Sequence, residues 1–242
     1  METLNIFSRN IKWRFQNPIT IIMTIIQPLI WLLFYSNMAA DISSSFILPG
    51  IIVLVMFSSA GNNGVANYYS KQNGSFYRIH ISPVKKSSVV LGHVLDAEVF
   101  SFTEVLILIL ISFFMSVRIS FSELFLMLPV IFATVFFISS FSYFLSLIIP
   151  SENIFYIFLN TFILPLFFMS TALFPYEKIP VQYKTAVNIN PFTHVINSLR
   201  TIIMNQNNNY SEYLFSLMLM ILLGVIMFII SVKKLKIYGK NL

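Results

Sequence analysis

The chain has 242 residues, of which 57% are hydrophobic and 10% charged, with a formal net charge of +6. Soluble domains carry roughly 25% charged residues, so too few polar side chains remain to cover a water-facing surface. The mean hydropathy of +0.81 places the chain among all-α integral membrane proteins, and the absence of cysteine excludes a disulfide framework and a thiolate metal site.

At the N-terminus, Leu4, Phe7, Ile11 and Phe15 recur at spacings of three and four. Arg9, Lys12 and Arg14 fall elsewhere on the wheel, with Trp13 near the edge. Residues 1–18 therefore read as a basic amphipathic helix lying on the inner leaflet. A cleavable signal is not expected, because no apolar core precedes Ile19 and no small-residue cleavage site follows one. Asn17-Pro18 suits the start of the next helix, Asn as N-cap and Pro as first helical residue.

A helix crosses the hydrocarbon layer with about 20 apolar residues. Six segments qualify, at 19–35, 46–60, 99–117, 123–149, 154–174 and 213–232. The second is short and is expected to continue as helix through 61–69. Pro150 and Ser151 mark a tight turn between spans four and five, with Ser151 as N-cap. Pro28, Pro49 and Pro165 lie inside or at the ends of spans, where neighbouring helices can satisfy the freed carbonyls. Packing kinks and gating hinges both fit them.

Orientation follows from Lys and Arg. With six spans both termini share a side. Eleven basic residues lie there: Arg9, Lys12 and Arg14, then Lys71, Arg78, Lys85 and Lys86, then Lys233, Lys234, Lys236 and Lys240. Four lie opposite: Arg118, Lys178, Lys184 and Arg200. The termini and the stretch 73–98 are expected in the cytoplasm. That stretch and the external segment 175–212 are the two long connections, which is where function usually sits.

The cytoplasmic run over 76–86 reads Phe-Tyr-Arg-Ile-His-Ile-Ser-Pro-Val-Lys-Lys. Phe76 with Ile79, and Tyr77 with Ile81, can share one face of a short helix. Pro83 ends it, because Ser82 before a proline avoids helical geometry. A greasy face with a basic rim can dock on a partner protein, or hold acidic lipid through Arg78, Lys85 and Lys86. On the external side, Pro175, Pro180 and Pro191 break the chain into short pieces. Asn190-Pro191 begins a helix carrying Phe192, Val195, Ile196 and Leu199, too short to span and containing Arg200.

No G-x-x-x-x-G-K-[ST] phosphate loop is present: Gly239-Lys240 has Lys234 at the position of the first Gly and Asn241 after it. His80, His93 and His194 lack metal-ligand spacing, and no nucleophile motif accompanies any Ser or Asp. No catalytic or metal-binding residue is assigned, and the chain is not expected to be an enzyme by itself. Asp96, Glu98 and Glu104 cluster near the cytoplasmic end of span three. Glu104, the deepest, suits either a structural pair with a neighbouring helix or a role in coupling or substrate contact.

This layout resembles a permease of the type-2 ABC exporter family, the type V exporter fold, over nearly the whole chain. Two stretches carry the resemblance. Phe76 through Val84 with Leu91-Gly92 is similar to the family's short cytoplasmic helix, Ser/Thr-Pro-Val step and Gly before span three. Leu173-Phe174-Pro175, Ile179-Pro180, Asn190-Pro191-Phe192-Thr193 and Leu199-Arg200 are similar to its Phe-Pro, Leu-Pro, Asn-Pro-Leu-Thr and Arg series. Phe192 stands where Leu is usual, and His80 where many relatives carry a small residue.

The resemblance implies a single permease domain over 1–242: an interfacial helix (1–18), spans one and two (19–72), a coupling region (73–98), spans three to five (99–174), a re-entrant segment (175–212), then span six and a basic tail (213–242). It implies a multi-pass protein of a bacterial cell membrane. A second permease copy or homologue, two separate ABC ATPase subunits and membrane lipid are the implied partners, and nucleic acid is not. ATP and Mg belong to the ATPase, with no cofactor on this chain. Phe76, Tyr77, Arg78, Ile79, Ser82 and Pro83 then form the coupling helix. Phe174, Pro175, Asn190, Pro191, Phe192 and Arg200 form an external gate, unless the segment is an interfacial helix without a gating role. Phe57, Asn62, Asn63, Glu104, Tyr156 and Asn160 are the pathway candidates. An aromatic lining suits drugs, antimicrobial peptides or lipids, and also stacking on the sugars of a polysaccharide or teichoic acid. An ion-coupled carrier or a membrane scaffold is the reading outside this family.

Overall fold

The computed structural model describes residues 43–81, 84–115, 117–205 and 210–238, together with Thr3, Phe7, Ser8, Ile22, Ile26, Leu29, Ile30 and residues 32–34. The expected interfacial helix and first span fall largely outside these residues, as do Ser82, Pro83 and the end of the basic tail. Every element among the described residues is helical.

The second expected span is helix α1, Ser44–Gly61, followed after Asn62 by α2, Asn63–Gln72. Asn62 keeps helical dihedrals, so the predicted continuation past Ala60 is present and the two form one 29-residue rod. The rod ends at Asn73-Gly74, where Gly74 takes φ +73°, the left-handed conformation glycine adopts without a side-chain penalty. Helix α3, Ser75–Ile81, turns back from there, its start capped by the Asn73 Oδ1, which accepts from the Ser75 N–H at 3.0 Å.

Helix α4, Lys86–Ser112, begins 13 residues before the expected start of span three at 99. Asp96, Glu98 and Glu104 are all buried on it, and the helix runs through them without a break. A short 3-10 turn, Phe113–Met115, ends it. Helix α5, Phe121–Ile148, starts at a capping box: the Ser120 Oγ accepts from the Glu123 N–H, and the Glu123 carboxylate accepts from the Ser120 N–H. Ser151 caps helix α6, Glu152–Phe168, as expected. Helix α6 stops six residues before the predicted 174.

The segment 175–205 is broken at its prolines. A 3-10 turn, Tyr176–Lys178, follows Pro175. Helix α7, Val181–Ile189, follows Pro180, and helix α8, Pro191–Ile203, follows Asn190. Phe192, Val195, Ile196 and Leu199 bury the face that their spacing predicted. Helix α9, Tyr210–Tyr238, closes the chain and packs along α5, where a Cβ on Gly224 would lie 2.4 Å from Phe136.

The main core lies between α1, α4, α5 and α8, with Ile51, Leu108, Ile131 and Ile196 fully buried. Among the described residues, three helices are long and apolar enough to cross a bilayer: Ser44–Gln72, Phe121–Ile148 and Tyr210–Ile237. These correspond to three of the six expected spans. Helix α4 is long but carries acids, and α6 is apolar but has 17 residues, at the lower edge of what a bilayer needs.

Candidate functional site

Two clusters of predicted site residues lie at opposite ends of the α1–α2 rod. At 1.5 Å per residue, the 26 steps from Phe46 to Gln72 separate them by roughly 40 Å.

At the α2 end, polar side chains sew the rod to its neighbours. The Asn63 amide donates to the His93 carbonyl at 2.8 Å, and the Gly64 N–H donates to the Ser142 Oγ at 2.9 Å. The Asn67 amide donates to the Ser146 Oγ, the Lys71 ammonium to the Ser146 carbonyl and the Tyr68 hydroxyl to the Ile149 carbonyl, each at 2.9 Å. Gly64 is required here: a Cβ would meet the Phe155 ring at 2.5 Å and the Ser142 carbonyl oxygen at 2.8 Å.

Helix α3 sits on this framework. Phe76 is 4% exposed and packs with Val89, Val90 and Val94 of α4, Tyr143 and Leu147 of α5, and Leu235 of α9. Lys71 lies 5.5 Å from the centre of its ring, within cation–π reach. The expectation placed Phe76 on an outward docking face, and this is corrected: a large apolar ring has more to gain by filling the gap between three helices than by facing water. Tyr77, 45% exposed, and Arg78 point outward instead. Ile79 belongs to α3, but its side chain lies outside the described residues.

At the other end, Arg200 of α8 is only 8% exposed. Its Nε donates to the Phe46 carbonyl at 3.1 Å, Nη2 to the Thr171 carbonyl at 2.6 Å and Nη1 to the Asn197 Oδ1 at 3.3 Å. The guanidinium carbon lies 3.6 Å from the centre of the Phe46 ring. Burial lowers its pKa to about 10, which leaves it charged at neutral pH. Asn197 completes the set by accepting from the Thr171 hydroxyl at 2.7 Å.

Asn190 works beside it. Its Oδ1 accepts from the Phe192 N–H at 3.0 Å, capping α8. Its amide donates to the carbonyls of Leu166 and Met169 at 2.6 and 2.9 Å. Those are last-turn carbonyls that helix α6 leaves without partners of its own, which accounts for the early end of α6. Gly50 of α1 packs directly on Ala172 of the same turn, with room for no Cβ. Phe192 is buried against Phe57, ring centres 4.2 Å apart, whereas Phe174 is exposed and Pro175 half-buried. His194 adds a link, its Nδ1 3.0 Å from the Glu212 carboxylate and its Nε2 3.0 Å from the Asn188 carbonyl oxygen.

The six pathway candidates do not share one surface of the chain. Phe57, Asn63 and Glu104 are buried. Tyr156 and Asn160 are exposed on α6, where the Asn160 amide donates to the Tyr156 carbonyl at 3.0 Å, and Asn62 is half-buried. Residue type alone does not tell a face packed within the chain from one lining a conduit. Sequence reasoning missed Thr171, Asn197 and Phe46. Asn197 lies three residues before Arg200, on the same helix face, and was legible in principle. The backbone carbonyls that receive the guanidinium leave no trace in sequence.

The sequence pattern of the ABC-2 type transporter family matches residues 1–204. The chain is 28% identical over 212 residues to the protein named transport permease ycf38 of Porphyra purpurea, covering 83% of this chain and 72% of that one. It is 26% identical over 215 residues to the protein of the same name in Cyanophora paradoxa, covering 84% and 74%.

Proposed function

This chain belongs to the ABC-2 type transporter family, and from that premise we propose that it is the membrane-spanning permease subunit of an ATP-driven exporter. Its substrate is hydrophobic or amphipathic, a drug, an antimicrobial peptide or a lipid-like molecule, moved out of the cytoplasm. The working unit pairs two such permeases, each with six spans and an interfacial N-terminal helix, above two ABC ATPase subunits in a bacterial cell membrane, with both termini cytoplasmic.

The observation that carries the reading is the seating of α3. No phosphate loop lies within these 242 residues, and energy delivered by contact with an ABC ATPase fits that. Phe76 fixes α3 to α4, α5 and α9 at once, while Tyr77 and Arg78 stay outside. A push on Tyr77 and Arg78 is thereby delivered to three long helices together. Coupling thus divides between an anchor, Phe76, and a contact surface, Tyr77 and Arg78.

The far end supplies a closure. Arg200 and Asn190 tie the turn 169–172 to α8, and Arg200 ties both to the start of α1. Movement of the rod pulls on this knot, which makes 175–205 the external gate.

Co-expression with candidate ABC ATPases, purification and reconstitution into vesicles test the reading. Expected is a stable complex that moves a fluorescent hydrophobic cation only with ATP and Mg. A chain that binds no ATPase and moves solute down an ion gradient would overturn it.

A further inference from the structure

An apolar cavity of about 180 Å³ lies between α1, α5, α6 and the first turn of α8. Phe57 and Gly61 of α1, Phe141 of α5, Phe158 and Phe162 of α6 and Phe192 of α8 form much of its wall. Among the described residues of that wall the one polar side chain, Ser142, is committed: its Oγ donates to the Gly61 carbonyl and accepts from the Gly64 N–H. A buried water needs two to four polar partners, and apolar cavities of roughly 150 Å³ stay dry and take up benzene. Water and polar headgroups are therefore poor occupants, and hydrocarbon is the chemistry this wall accepts.

Gly61 helps to keep the space open. A Cβ there would lie 3.7 Å from the Ile163 Cδ1 and 3.8 Å from the Leu159 Cδ1, ordinary contacts, so a side chain is tolerated but would project into a region the glycine leaves free. The way in runs beside α6. Phe162 and Leu166, both wall residues, are also exposed, four residues apart on one face of α6. In a bilayer, acyl chains reach the exposed edges of these two side chains.

We infer that this cavity is an intramembrane binding site for the acyl chain of a bilayer lipid, entered beside α6. The site shares Phe57 with the proposed pathway and Phe192 with the proposed gate, so its relation to transport rests on the exporter reading, while labelling without ATPase or ATP tests the site apart from transport.

The test uses the full chain in nanodiscs of phosphatidylcholine doped with a lipid carrying a photoactivatable diazirine near the end of one acyl chain. Adducts are mapped by peptide mass spectrometry. Expected are adducts on Phe57, Phe141, Phe158 or Phe192, falling at least five-fold in Gly61→Leu. Adducts on the outer face of α9, at Met218 and Leu222, stay unchanged, which reports folding. Gly61→Ala, whose methyl fits at contact distance, keeps most of the labelling. Adducts on α9 alone in the wild-type chain overturn the inference, a result that needs no variant. Cavity labelling undiminished in a Gly61→Leu chain with normal α9 adducts overturns it as well.

Discussion

The Arg200 Nη2 donates to the Thr171 carbonyl at 2.6 Å, across 29 residues of sequence. A charged donor buried against a backbone carbonyl is the strong kind of hydrogen bond, worth about 1.5–3 kcal/mol. The same guanidinium holds Phe46 at the start of α1. One side chain therefore fixes the geometry of three segments distant in sequence.

Arg200→Ala removes this knot and leaves two carbonyls without their charged donor. The expected cost is about 2–4 kcal/mol, read as a lower midpoint of thermal unfolding in detergent. Arg200→Lys keeps the charge but not the planar fork, and recovers less than half of the loss. An unchanged midpoint in Arg200→Ala would show that the knot carries no stability.

Asn190 offers a sharper chemical test, because it both accepts and donates. Asn190→Asp keeps the acceptor for the Phe192 N–H but turns the donor to Leu166 and Met169 into a second acceptor. It is expected to be at least as damaging as Asn190→Ala, which costs about 1–2 kcal/mol. A simple N-cap role predicts the reverse order, with Asp tolerated.

The two glycines of the rod should part company. Gly64→Ala drives a methyl into Phe155 and the Ser142 carbonyl and costs about 1–3 kcal/mol by overpacking. Gly61→Ala meets only ordinary contacts and gains up to about 1 kcal/mol from helix propensity. Unfolding midpoints moving in opposite directions confirm the assignment, and equal shifts refute it.

Phe76→Ala empties the space between α4, α5 and α9 and costs about 3–5 kcal/mol. It lowers the yield of folded protein before any effect on coupling is read. Phe76→Leu, which refills most of the space, restores yield. Equal yields of all three proteins would contradict the buried seat of Phe76.

Much of this fold was legible in sequence. The continuation of α1 into α2, the Ser151 cap and the apolar face of α8 were all readable from spacing and cap chemistry, because each depends on residues close in sequence. The Ser120–Glu123 box was equally local, yet the apolar pattern alone started α5 two residues too late, at 123 rather than Phe121, and assigned no cap. The end of α6 could not be read, since Asn190 arrives from 21 residues and more away to take its last carbonyls. Nor could the inward turn of Phe76, which depends on a gap formed jointly by α4, α5 and α9. Side-chain spacing defines a helix face but not what the face meets.

The central claim is that energy enters through the exposed side of α3, and Tyr77→Asp tests it most directly. Tyr77 is 45% exposed, so the substitution spares the Phe76 seat and leaves the unfolding midpoint close to wild type. Measured on the purified permease with its ATPase, the variant is expected to lose most of the co-purifying ATPase or, if the complex survives, most ATP-dependent transport. Wild-type complex yield together with wild-type transport in Tyr77→Asp would contradict the account.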